Sequence, residues 1–177
     1  MSRLPIGASA IPFELPGIDG RHYSLETFAD HQVLGLIFSC NHCPYVQAWE
    51  ERMIQVQHEY AEHGVALVLI NANDPQKYPV DSFEAMQQRA HMFKYPFPYL
   101  HDQPQTTARA YGAERTPEVF LFNQARELVY HGAVDDHREP EHVQQHYLRN
   151  AIEAVLKHQP PPISETPAVG CTIKWSV

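Results

Sequence analysis

The chain has 177 residues, 44% hydrophobic and 19% charged, which suits one folded α/β-sized domain over 1–177 that needs neither disulfide staples nor a structural metal. A formal net charge of −8 argues against nucleic acid or an anionic membrane as a general partner, and no run of about 18 apolar residues is present to span a bilayer. Three cysteines are too few for a disulfide framework, so a close pair among them reads as catalytic, redox-sensing or metal-binding. The first residues lack a secretory apolar stretch, Pro5 and Gly7 interrupting the one candidate, and the expected location is cytoplasmic.

In chain order, residues 11–20 alternate apolar and polar side chains and end in turn chemistry, as an edge strand would, and residues 24–29 suit one helical turn. Residues 1–30 thus form an N-terminal extension. The apolar run 33–38 predicts a buried central strand. From Pro44 to Tyr60 the period becomes helical, with Tyr45, Val46, Trp49, Met53, Val56 and Tyr60 on one face and Gly64 as a stop. A second buried strand follows at 65–70, then a polar loop at 71–79. Ser82 reads as the N-cap of a helix through Phe93. A short strand at 97–100, a brief helix at 106–111 and a hairpin of strands 118–122 and 127–131 come next. The last predicted helix runs from Glu139 to His158, with Val143, Tyr147, Leu148, Ile152, Val155 and Leu156 inward, and Pro160–Pro162 ends it. Strands alternating with helices and closing in a hairpin predict a three-layer α/β fold with a central mixed sheet.

Cys40-Asn41-His42-Cys43 falls where the first buried strand passes into the first long helix. The free amides and dipole of a helix N-terminus favour an anion, and the thiolate is the reactive form of cysteine. Three-residue spacing brings Cys43 onto the same face, within disulfide reach, and Pro44 costs little in a first turn. A protonated His42 beside the pair would favour the thiolate and raise the potential. The same pair is also half a zinc site, with His142-x₃-His146 as the nearest second half, or two buried structural cysteines.

Together with Arg115-Thr116-Pro117-Glu118-Val119-Phe120-Leu121-Phe122, the hairpin and the final helix, this strand–CxxC–helix pattern resembles the thioredoxin superfamily. The resemblance implies a cis Thr116–Pro117 bond facing the cysteines, with the Thr116 backbone free to pair with an extended substrate strand beside Cys40. The N-terminal strands and the helical insertion at 71–95 look like the peroxiredoxin-like, alkyl-hydroperoxide-reductase-related branch. Residues 38–46 and the tail 169–175 resemble an uncharacterised peroxiredoxin-like group of small bacterial proteins. In peroxiredoxins the peroxidatic cysteine takes the second CxxC position within Pro-x-x-x-Thr/Ser-x-x-Cys. Here Leu36 and Cys40 replace the Pro and Thr, and Arg115 lies roughly where those enzymes keep an arginine. The buried acid of thioredoxin, six residues before the first cysteine, is replaced by Leu34, so another group must handle the proton.

The expected activity is thiol–disulfide exchange, with Cys40 attacking as thiolate, Cys43 resolving, and His42, Thr116 and Pro117 in support; no cofactor or metal is called for. The alternatives are a thiol peroxidase and a metal-binding or metallochaperone protein of the same fold. Expected partners are protein or small-molecule disulfides and thiols, with hydroperoxides under the peroxidase alternative, and the edge strands leave a homodimer open. The tail 163–177, apolar at Val169, Ile173, Trp175 and Val177, is expected to dock. Cys171 is then either a resolving thiol or a small buried side chain.

Overall fold

Two runs of seven residues, Val33–Ser39 and Val65–Asn71, are buried along their whole length and set the centre of the protein. The computed structural model describes residues 2–176; Met1 and Val177, the latter named above among the apolar tail residues, lie outside them. In chain order the elements are β1 (Glu14–Pro16), β2 (His22–Ser24), β3 (Val33–Ser39), α1 (Pro44–Tyr60), β4 (Val65–Asn71), α2 (Phe83–Met92), β5 (Tyr99–His101), α3 (Thr106–Tyr111), β6 (Arg115–Thr116), β7 (Glu118–Phe122), β8 (Leu128–Gly132), α4 (Tyr147–Leu156) and β9 (Cys171–Thr172).

The five-stranded sheet has the order β5-β4-β3-β7-β8. β3, β4 and β5 run parallel, with α1 and α2 as their crossovers, and β7 and β8 add antiparallel strands. Because side chains alternate along a strand, each strand feeds two cores. Ile37, Leu67, Leu69, Val119 and Leu121 meet Trp49 and Met53 of α1, Met86 of α2, and Leu148 and Ile152 of α4. Leu36, Phe38, Val68, Ile70, Phe120 and Phe122 meet Tyr111 of α3 and the N-terminal Phe13, Leu15 and Phe28. The result is the three-layer arrangement with a mixed sheet. Among the described residues no helix is long and apolar enough to cross a membrane.

Local signals hold at most ends. Ser82 caps α2 by accepting from the Ala85 amide at 3.2 Å. Gly64, at φ 77°, turns the chain out of α1 and its short 3₁₀ extension, a conformation that favours glycine. The last helix departs from the sequence reading. Pro140–His142 form a 3₁₀ turn, Val143 is extended, and α4 starts at Tyr147. Asp136 accounts for the break: its carboxylate accepts from the Gln144 amide at 2.9 Å and its own amide donates to the Gln145 carbonyl at 3.1 Å. These bonds hold 144–145 against 136 and out of a helix, so His142 and His146 do not share a helix face.

The tail is built into the fold. Its start lies along β8, where the His131 amide donates to Ser164 and the Thr166 amide donates back to His131, both at 3.0 Å. It then crosses to pair with β6 and buries Ile173 in the second core.

One ion pair couples the helical insertion to α1. Glu50, buried on α1, accepts from Arg89 Nε and Nη2 at 2.8 Å each and from the Tyr95 hydroxyl. Breaking a buried pair leaves the remaining charge without compensation. Glu50→Ala is therefore expected to cost about 3 kcal/mol, read as a lower urea midpoint at unchanged slope. An unchanged midpoint would show that α2 does not depend on this pair.

Candidate active site

The end of β3 delivers Cys40 to the edge of the sheet, and Cys43 is the N-cap residue of α1, with extended backbone (φ −67°, ψ 123°) and Pro44 next. The loop between them is held from the insertion. Asp81, fully buried, accepts from the Asn41 amide at 2.7 Å and the His42 amide at 3.2 Å through Oδ1. Its Oδ2 takes the His42 Nδ1 hydrogen bond and accepts from Asn73 Nδ2 at 2.9 Å. Asn41 adds three more ties: its Oδ1 accepts from the Tyr99 hydroxyl at 2.8 Å, its Nδ2 donates to the Val80 carbonyl at 3.0 Å, and its carbonyl accepts from Gln47 Nε2 at 3.0 Å. The His42 ring stacks on Tyr78, 5.6 Å between centroids and nearly parallel.

Thr116 faces both sulfurs. Its hydroxyl is 3.7 Å from Cys40 Sγ, and its carbonyl oxygen is 3.5 Å from Cys43 Sγ. The Thr116–Pro117 peptide bond is cis. Glu118 fixes the approach to Thr116: its Oε1 accepts from the Glu114 and Arg115 amides at 2.9 Å each, and its Oε2 bonds His131 Nε2 at 2.7 Å.

The two thiols lie in opposite fields. The Cys40 thiol, as hydrogen-bond donor, holds the Cys43 pKa well below the ordinary range against the effect of burial. The Cys171 thiol, the first-turn Val46 amide and Thr116 add to this. Cys40 moves the other way, because it serves Cys43 as donor, is desolvated, and faces the negative charge of Asp81. The pull toward thiolate is thus on Cys43 and the pull toward thiol on Cys40, whereas the sequence reading expected Cys40 as the attacking thiolate. The helix begins after Cys43, and the carboxylate beside Cys40 comes from 41 residues downstream, beyond any local pattern.

Other expectations change as well. His42 is turned onto Asp81, so its ring serves the carboxylate before it serves a thiolate. Arg115 is exposed and donates to the Gly170 carbonyl at 3.0 Å, along the tail. The backbone edge at Thr116 is not free: β6 pairs antiparallel with β9, Arg115 opposite Thr172 and Thr116 opposite Cys171. His101 and His131 are buried. Asp81 and Glu118 carried no motif and were missed.

For a metal, Cys40, His42 and Asp81 each offer one atom within 4.8 Å of the others. The Asp81 oxygens are already engaged by two amides, Asn73 and His42, which accounts for the cluster as a hydrogen-bonded brace. Glu139, Glu141 and His142 form a second such group, all exposed.

A thioredoxin-family thiol:disulfide interchange protein from Chlorobium tepidum, 18% identical, superposes with a TM-score of 0.59 over 74% of this chain and 87% of that one, a likeness of fold alone. A hypothetical protein from Sinorhizobium meliloti is 38% identical with a TM-score of 0.93, covering 99% of this chain and 97% of that one. The thiol-disulfide oxidoreductase ResA of Halalkalibacterium halodurans is 27% identical over 123 residues, 70% of this chain, which spans 65% of that protein's length. Residues 6–131, from the N-terminal strands through the CxxC loop, the cis-proline and β8, match the AhpC/TSA family, and the chain belongs to that family.

Proposed function

We propose that the protein is a thiol–disulfide oxidoreductase whose redox couple is Cys40 and Cys43. The observation that carries this reading is the pair of buried free cysteines at the start of α1, both within reach of Thr116 at the cis Thr116–Pro117 bond. The Cys43 thiolate attacks one sulfur of a disulfide partner's S–S bond and releases the other as thiolate. Cys40 then loses its proton and attacks the Cys43 sulfur, which leaves a Cys40–Cys43 disulfide and releases the second thiol. The Asp81–His42 pair lies beside Cys40 and takes the place of the acid missing at Leu34 as the route for that proton.

One observation also favours peroxide reduction. The thiolate falls on Cys43, the position at which the resembling peroxidases keep theirs, and a sulfenic acid there would have two thiols beside it. Arg115, turned toward Gly170, leaves this reading without the arginine it expected. Stopped-flow mixing with hydrogen peroxide decides it: a rate no faster than that of free cysteine excludes the peroxidase.

The order of attack is tested by trapping. In a Cys40→Ser/Cys171→Ser background Cys43 has no internal partner, and treatment with oxidised glutathione is expected to leave one stable glutathione per chain by mass spectrometry. The counterpart carrying Cys43→Ser with Cys171→Ser is expected to leave none, and the reverse result would return the attack to Cys40. A lowered pKa keeps the thiolate present until pH falls through it. The iodoacetamide rate of Cys43 is therefore expected to stay flat from about pH 8 to about pH 6, where an ordinary thiol near 8.5 loses well over tenfold. A rate that falls in step with that ordinary thiol would contradict the assignment.

A further inference from the structure

Both sulfurs of the couple are out of solvent, Cys40 at 1% and Cys43 at 0% exposure, and their neighbour on the Thr116 side is the chain's own tail. Thr116 and Cys171 are directly opposed across the antiparallel β6–β9 pair, which puts their side chains on the same face. That face is fixed by Thr116, whose hydroxyl lies 3.7 Å from Cys40 Sγ. Cys171 is thereby delivered to the face that carries the redox pair, and it packs against the core that contains both cysteines.

The position is held from both sides. Upstream, Thr166 Oγ1 meets the Tyr130 hydroxyl at 2.7 Å and accepts from the Ala133 amide at 2.9 Å. Downstream, the Ile173 amide donates to Glu114 at 2.9 Å, the Lys174 amide donates to Asn73 Oδ1 at 2.8 Å, and the Trp175 ring carries Arg109 at 4.4 Å. Between these clamps, Gly170 runs so close to β6 that a Cβ there would collide with the Thr116 carbonyl and press on Pro117 N at 3.3 Å. A glycine at 170 is what lets the strand close on Thr116.

Resting on the oxidoreductase reading, we propose that Cys171 is the third member of the redox centre, closing a Cys43–Cys171 disulfide, and that β9 occupies the place an incoming peptide strand would take, which suits the site to low-molecular-weight disulfides. A protein presenting an extended strand has to displace β9 from both clamps. A small disulfide needs only the short 167–170 segment to open, where Val169 is already exposed. The Cys43 thiolate attacks the disulfide RSSR, forming Cys43–S–S–R and releasing one thiolate, which takes a proton to become RSH. Cys171 loses its proton, its sulfur attacks the Cys43 sulfur, and the second RSH leaves. One disulfide is reduced to two thiols as two protein thiols become one disulfide. Cys40 then attacks Cys43 in turn, moving the bond to Cys40–Cys43 and returning Cys171 as a thiol, with no net electron transfer. The order is consistent with charge: burial and the hydrogen bond to Cys43 push the Cys171 thiol up to about 11, and the second of these disappears once Cys43 is in a mixed disulfide.

The test uses oxidised glutathione on the full chain, its single-site variants, and the same variants combined with Gly170→Val, each checked for fold by circular dichroism. Cys40→Ser is expected to lose both remaining thiols, yield a Cys43–Cys171 linked peptide and keep no glutathione, whereas Cys40→Ser/Cys171→Ser keeps one. Adding Gly170→Val to Cys40→Ser, which unseats β9 without touching a thiol, is expected to lengthen the life of the glutathione adduct by at least about tenfold. An adduct as lasting on Cys40→Ser as on Cys40→Ser/Cys171→Ser overturns the proposal, as does the absence of a Cys43–Cys171 peptide from both wild type and Cys40→Ser. If that happens while Cys171→Ser still forms Cys40–Cys43, the oxidoreductase reading stands alone. If Cys40→Ser/Cys171→Ser takes up no glutathione, Cys43 is not the attacking thiolate and the proposal for Cys171 falls; the oxidoreductase reading falls with it only if Cys43→Ser/Cys171→Ser takes up none either.

Discussion

Thr116 links the three cysteines. Its hydroxyl lies beside Cys40, its carbonyl oxygen lies beside Cys43, and its backbone pairs with the strand that holds Cys171. None of these contacts survives if the turn into β7 shifts, and that turn is pinned by a buried carboxylate, Glu118, bridging the Glu114 and Arg115 amides to His131. A carboxylate that accepts backbone N–H groups is a strong, directional anchor, and a buried one is costly to leave without them. The redox pair is thus located by hydrogen bonds made outside it, from β8 through Glu118 to Thr116.

Asp81 does the same on the opposite side. It holds two consecutive amides of the CxxC loop and the His42 ring while its charge stands next to Cys40. One group therefore does two things: it fixes the loop, and it biases the proton toward Cys40 and away from Cys43. The helix N-terminus completes the asymmetry by placing Cys43 at the cap, against first-turn amides. Two identical side chains three residues apart are pushed in opposite pKa directions by their positions, which favours one attacking while the other waits.

What could be read from the sequence follows the range of the forces involved. The buried strands 33–38 and 65–70, the α1 period from Pro44 to Tyr60 and the Ser82 cap are local patterns, and all appear in the structure within a residue. The CxxC motif, Thr116 and Pro117 were visible because spacing and neighbouring residues carry them, and the third cysteine was visible as a tail residue with an open role. The Asp81–His42 bond, the Glu118–His131 bond and the Thr116–Cys171 pairing span 39, 13 and 55 residues, and no local pattern encodes them. The error in the last helix has the same origin: Val143 continues the apolar period, but the Asp136 carboxylate, seven residues earlier, captures Gln144. His42 was visible in the motif, but its hydrogen bond to Asp81 was not, because that partner lies 39 residues away.

The central claim is that Cys40 and Cys43 form a two-electron dithiol couple without help from the tail. The most direct test is a thiol count on Cys171→Ala across a graded glutathione redox buffer. The account predicts that both thiols disappear together and return reversibly, about 30 mV for each tenfold change in the oxidised-to-reduced ratio, with the disulfide mapped to Cys40–Cys43. Thiols that stay free at every poise, or a glutathione adduct that accumulates in place of the disulfide, would contradict it.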